Sequence, residues 1–152
     1  MSQEVLSSEQ SAPVKQFSIF TENKVGRLHE IIRLLNERHV HAVALTILDT
    51  TDSSIHRMIV DDPDEARQML REHGTTFSET AMVVVELNTT TDLIRVLTAL
   101  LEAEINVHYC YPFIFRPHDK SALALHLEDP ELATQSLERH GFKVLGQADI
   151  SR

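Results

Sequence analysis

Along the chain the hydrophobic positions switch between two periods, and the switches mark the elements. From Lys15 to Thr21 the period is two, with Phe17 and Ile19 on one side and Ser18 and Phe20 on the other, as in a strand laid against a core. From Leu28 the period lengthens. Leu28, Ile31, Ile32 and Leu35 fall at i, i+3, i+4 and i+7, the stripe of an amphipathic helix. Its other side carries His29, Glu30, Arg33 and Glu37, and Arg33 and Glu37 are spaced to pair across one turn, for about 0.2–0.5 kcal/mol. Residues 40–48 are β-branched and aliphatic, DTTDSS has a turn composition, and residues 55–60 resume the strand pattern, together predicting a hairpin. Asp62 then precedes Pro63, with Glu65 three residues on. That is a capped helix start in which the glutamate is spaced to complete a capping box. Gly74 stands where a left-handed C-cap is expected. Residues 77–87 predict one extended segment, the last strand of this unit running into MVVVEL, the first strand of another.

The same order then repeats. Leu93, Val96, Leu97, Leu100 and Leu101 predict the core stripe of a helix, residues 108–115 and 121–127 a hairpin, Asp129-Pro130 a helix start, Gly141 its stop, and Val144-Leu145 a final strand. VDDPDEARQMLREHG (60–74) and LEDPELATQSLERHG (127–141) agree at seven of fifteen positions at an offset of 67. A repeat of units this small implies two copies of one supersecondary layout packed together, with function sought at their shared interface. Each copy reads βαββαβ, the ferredoxin-like arrangement of two helices on one face of a four-stranded antiparallel sheet. The fold class is therefore α+β, two such repeats with their sheets joined side by side. The boundaries are a flexible tail over 1–13, a first domain over 14–80 and a second over 81–152.

Composition narrows the partners. A formal charge of -9 argues against nucleic acid or an anionic membrane, both of which reward basic surfaces. MVVVEL also lacks the aromatic and basic residues of RNA-binding sheets. No apolar run reaches the length of a membrane span, and MSQEVLSSEQSAP is polar and acidic rather than signal-like. A single cysteine, Cys110, allows no intrachain disulfide, which fits a cytoplasmic protein. It is expected to be a buried small hydrophobe.

The segment NKVGRLHEIIRLLNERHVHAVAL carries a strand-to-helix loop with Gly26 two residues before Leu28, spaced aliphatics Ile31 and Leu35, and the Val40-His41-Ala42 lead into strand two. Copy two has Thr91, Leu93, Val96, Leu100 and Ile105-Asn106-Val107 at those places. The pattern resembles the ACT domain family, over roughly residues 15–148. Only copy one keeps the glycine and only copy two the asparagine. The resemblance implies a non-catalytic regulatory module that binds an amino acid or related metabolite at a domain interface, with no cofactor. An enzyme partner and a homodimer are possible. The alternative it carries is an interaction subunit with vestigial ligand sites, like the small regulatory subunits of acetolactate synthase.

Physical chemistry supports the same loop. A glycine there lets backbone approach a ligand, and the helix start offers unpaired N–H groups to a carboxylate. The candidate ligand site is therefore Asn23, Lys24, Val25, Gly26, Arg27 and Leu28, with Asn106, Val107 and His108 facing it. The copy-two loop, NTTTDL, is expected to be degenerate, with Thr91 or Asp92 capping its helix. No nucleophile, base and orienter motif marks a catalytic site. Nine histidines raise a metal site, but the spacing is weak and none is assigned. His39 and His41 would share a face only if both lay in the strand, and His73 and His140 precede helix-ending glycines, where imidazole complements terminal carbonyls. In YCYPFIF, Tyr109 or Tyr111 is expected in the core, and Pro112 marks an edge strand or bulge.

Overall fold

The computed structural model describes residues 12–116 and 120–151, so that the expected tail lies outside the described residues except for its last two. The elements follow the predicted order: β1 (Val14–Glu22), α1 (Arg27–Glu37), β2 (Ala42–Asp49), β3 (Ser53–Val60), α2 (Pro63–Glu72) and β4 (Thr76–Leu87). The second series is α3 (Asp92–Glu102), β5 (Val107–Pro112), β6 (Ser121–Leu127), α4 (Pro130–Arg139), β7 (Val144–Leu145) and a single turn, α5 (Gln147–Ile150). Asp62 and Asp129 each accept the N–H three residues on, from Glu65 and Leu132, with proline at the helix start. The Glu65 carboxylate turns to Arg38 at 3.4 Å rather than closing a capping box. Gly74 and Gly141 take φ of 63° and 87°, the left-handed region that ends these helices. One residue before each, His73 Nδ1 lies 2.9 Å from Met69 O and His140 Nδ1 2.8 Å from Ser136 O.

All seven strands form one antiparallel sheet, ordered β2-β3-β1-β4-β6-β5, with β7 also paired to β4. β4 serves both copies. Its first half pairs with β1 as far as Met82↔Val14, and its second half pairs with β6 from Val83↔Leu125 and with β7 at Val84↔Leu145. The sheet curls until its edge strands meet, where Ala44 bridges Phe113 and the Ile114 N–H donates to Val43 O at 2.8 Å.

Period-two alternation divides the core into three. Phe17, Ile19 and Met58 pack under α1 and α2 with Ile31, Leu35, Met69 and Leu70. Val83, Val85 and Leu125 pack under α3 and α4 with Val96, Leu100 and Leu137. The intervening positions Val14, Ala44, Ile59, Met82, Val84, Ala124 and Leu145 form a core shared by both copies on the concave face. Gln16, fully buried there, donates through Nε2 to the Tyr109 hydroxyl at 2.8 Å and accepts from the Tyr111 hydroxyl at 2.5 Å. The Arg57 guanidinium stacks over the Tyr109 ring at 4.0 Å, a cation–π contact between the copies. Tyr111 is buried as expected, and β5 is an edge strand with a register shift between Val107 and Tyr109.

Two expectations about copy two are corrected. Leu93, Leu97 and Leu101 are exposed at 47%, 39% and 76%, and only Val96, Ala99 and Leu100 of that helix's apolar residues are buried. The helix is apolar nearly all round, and four-residue steps drift across its surface, so the 93-97-101 row rides beside the buried stripe instead of within it. Cys110 is exposed. Its register partner Leu125 is buried beneath the helices, but β5 lies at the sheet edge.

Candidate functional site

The loop from β1 to α1 places Gly26 at the helix N-cap with φ 89° and no side-chain cap. A Cβ built on Gly26 meets nothing within 4 Å; the glycine is required by its backbone conformation rather than by crowding. Val25 is fully exposed at the tip. Lys24 and Arg27 reach the Glu22 carboxylate at 2.7 and 3.8 Å, and Arg27 also reaches Glu30 at 3.4 Å. The Lys24 hydrogen bond, with the charges of Lys24 and Arg27, holds Glu22 below the usual carboxylate range. Asn23 donates to Thr50 O at 3.4 Å, and Leu28 is half-buried.

The same turn recurs in copy two, where Asp92 N–H donates to Thr89 O as Arg27 N–H does to Lys24 O. Its contents differ. Asp92 Oδ2 accepts the Asn88 and Thr89 N–H groups at 2.8 and 3.1 Å, and Oδ1 accepts the Thr89 hydroxyl at 3.0 Å and Arg95 Nη1 at 2.9 Å. The Asn88 N–H bond, with the others, pulls the Asp92 pKa down against the cost of burial. Thr91 makes no cap bond. With Leu28 matched to Leu93, Arg27 falls on Asp92: copy two fills its loop with its own carboxylate where copy one presents a cation.

Asn106, Val107 and His108 lie at the start of β5. The Asn106 N–H donates to Glu128 Oε1 at 3.0 Å, Val107 is half-buried, and the exposed His108 holds Nδ1 3.1 Å from His126 Nδ1. Among the described residues no hydrogen bond or ion pair joins this segment to the Gly26 loop, so the structure gathers the nine candidate residues into two groups. His39 has φ 60° and precedes β2; it does not share a strand face with His41. Among the described residues no group of three or more His, Cys, Asp or Glu side chains could hold a metal ion, and no helix is long and apolar enough to cross a membrane.

A cavity of about 580 Å³ lies elsewhere, at the junction of the copies, lined by His41 to Val43, Asp61, Phe113, Phe115, Arg116 and residues 149–151. Sequence reasoning missed it. Its walls meet only because the sheet curls, and the one local signal was the run of aromatic residues after β5.

A strand shared by two βαββαβ units, with all four long helices on one face, defines a tandem ferredoxin-like module. The chain belongs to the ACT domain pair family, which matches residues 12–151. Among solved structures it is similar to protein BT0572 from Bacteroides thetaiotaomicron, with TM-score 0.84, 26% identity and coverage of 94% of this chain and 99% of that one. It shares its fold with the ligand-free regulatory subunit of aspartate kinase from Thermus thermophilus (TM-score 0.61, 13% identity, 86% and 92% covered). The same holds for the regulatory subunit of aspartate kinase from Thermus flavus (TM-score 0.56, 12% identity, 86% and 94% covered). A comparison with curated protein sequences finds no match.

Proposed function

We propose that the pair is a regulatory module, without catalytic activity of its own, that binds a free amino acid or similar small carboxylate at the Gly26 loop. Asn23, Lys24, Val25, Arg27 and Leu28 surround the ligand. Among the described residues no hydrogen bond or ion pair joins Asn106 to His108 to this loop, and in this reading they face it from a second copy of the chain. The observation that carries the reading is Asp92. In copy two a carboxylate accepts two loop N–H groups at the helix start, and in copy one the corresponding residue is Arg27, beside an uncapped helix end. A helix N-terminus with unpaired N–H groups and a nearby cation attracts an anion. The ligand's carboxylate displaces the Glu22 carboxylate from Lys24 and Arg27 beside the helix start, and is held by those charges rather than by the Lys24 N–H, which already donates to Glu22 O at 2.9 Å.

The test is calorimetric titration of the chain with the twenty amino acids. Arg27→Asp, which gives copy one the residue of copy two, is expected to abolish binding of whichever amino acid is found. Gly26→Ala weakens it through backbone strain at φ 89°, and Thr91→Ala leaves it unchanged. Unaltered affinity in folded Arg27→Asp would remove the proposed site.

The exposed row Leu93, Ile94, Leu97 and Leu101 favours a second reading, an interaction subunit of an amino-acid biosynthetic enzyme, since exposed apolar patches mark contact surfaces. Binding of no amino acid, together with loss of self-association or enzyme association in Leu97→Glu, would favour it over the first.

A further inference from the structure

We propose that His108, at the start of β5, and His126, at the end of β6, form a two-histidine site for a divalent transition-metal ion. Their Nδ1 atoms lie 3.1 Å apart. Two nitrogens bound to one ion at about 2.0–2.1 Å, at an angle between square and tetrahedral, stand about 2.9–3.4 Å from each other. The pair is spaced as two ligands of one ion.

A bulge makes the pairing. Along a regular strand neighbouring side chains take opposite faces, so that only one of His108 and Tyr109 could lie against His126. β5 shifts register between Val107 and Tyr109, and both reach it, with ring centroids 5.1 and 4.7 Å from that of His126. Bulges re-aim side chains in this way beside functional sites. Tyr109 stacks within 10° of parallel on His126 and fixes that imidazole, while His108 is exposed and leaves the remaining coordination positions to water.

The first copy has the same bulge with other contents. β2 shifts register against β3 between Ala42 and Ala44, the place that matches Val107 and Tyr109 against β6. There the bulged residue is Val43, and the residue matching His126 is Ile59, both buried in the shared core. Where one copy closes with an apolar pair, the other turns two like nitrogens on each other. With one Nδ1–H and one lone pair, these hold a single proton in a hydrogen bond. With both protons on Nε2, the two lone pairs converge and take a cation instead, and the rings stay neutral.

Charge selects the cation. Burial, then the charges of His108 and Arg57, depress the His126 pKa, which keeps this ring neutral with a lone pair to give. The same Arg57 charge, 4.0 Å over the Tyr109 ring, opposes any bound cation. Hard ions that prefer oxygen, Mg²⁺ and Ca²⁺, are therefore disfavoured, and ions with strong bonds to imidazole, such as Zn²⁺, Ni²⁺ and Cu²⁺, are selected. Among the described residues no third His, Cys, Asp or Glu completes the set, so the centre is open rather than a closed structural one.

The test is calorimetric titration of the full chain, free of any polyhistidine tag, with Zn²⁺ and with Mg²⁺. Zn²⁺ is expected to bind and Mg²⁺ not to. His108→Asn and His126→Asn are each expected to weaken Zn²⁺ binding at least tenfold. His41→Asn, which removes the ring that faces Asp61 at 2.8 Å, is expected to leave it unchanged. In the unmutated chain, the ring-nitrogen NMR signals of both His108 and His126 are expected to move together as Zn²⁺ is added, a readout that holds even where a variant fails to fold. Absence of Zn²⁺ binding, Mg²⁺ binding as tight, unchanged affinity in either folded variant, or movement of other histidines in place of these two would overturn the proposal. The loop reading uses His108 and nothing of His126, and Arg27→Asp is expected to leave Zn²⁺ binding intact, so the two readings fail separately.

Discussion

The two copies share a backbone and differ in what they leave unsatisfied. In the second, Asp92 closes its own strand-to-helix loop, and the strand facing the helices carries Leu123 in the core. In the first, the loop ends in an uncapped helix beside Arg27, and the position that corresponds to Leu123 is His56, buried with Nδ1 lacking a hydrogen-bond partner. At these two places the second copy is closed from within and the first is not. Duplication supplies the comparison: where one copy meets a requirement from within, the other exposes the same requirement to a ligand or to protons.

The largest expected effect tests whether the second copy's helix is anchored as the buried stripe indicates. Leu100→Ala should cost about 2–5 kcal/mol by the usual cost of emptying a core site. Leu101→Ala, one residue on and largely exposed, should stay within about 0.5 kcal/mol. Chemical denaturation of the two variants checks this, and equal losses would mean that the exposed row is packed in solution. Next is the self-closed loop. Asp92→Ala removes the buried carboxylate that accepts the N–H groups of the exposed residues Asn88 and Thr89 together with the Thr89 hydroxyl and Arg95, and should lower Tm by roughly 4–8 °C, whereas Arg27→Ala in copy one should move it by less than about 2 °C because its ion pairs are exposed. If both variants melt alike, the two loops are equivalent and the contrast between the copies fails.

These contrasts were unequally legible in the chain. The double role of β4 followed from a continuous extended run between a helix-ending glycine and the next helix, since one strand must close one unit and open the next. Capped helix starts, glycine stops and the terminal histidines were legible because they are local chemistry. Leu93, Leu97 and Leu101 were misjudged because a helix with apolar residues nearly all round does not announce which row faces the sheet. Only the packing of Val96, Ala99 and Leu100 decides it. The Gly26 loop was readable from its glycine, and its contrast with Thr91 from the repeat, but the plug formed by Asp92 depends on a side chain folding back over its own turn. The junction cavity left almost no trace, because it exists only when residues 43 and 113, far apart in sequence, are joined by the curl of the sheet.

The smallest expected effect is also the most specific to the first copy. Burial holds the His56 pKa below that of a free imidazole, so the native state favours the neutral ring. The unfolded chain takes up the proton first as pH falls below about 6.5. Stability from this group is therefore complete above that pH and declines as the pH drops toward the lowered folded value. His126 acts in the same sense, its pKa depressed by burial and then by the charges of His108 and Arg57. Replacing His56 by leucine, the residue of the second copy, should remove part of the acid slope and leave the part due to His126. Little should be lost near neutral pH, because the one polar contact removed, Nε2 to the Thr21 hydroxyl at 3.1 Å, leaves a hydroxyl that also reaches Glu22 O at 3.2 Å. Thermal melts of both proteins between pH 7.5 and 5.5 measure the difference. Parallel curves would mean that His56 does not titrate on folding, and the first copy would then be no more sensitive to protons than the second.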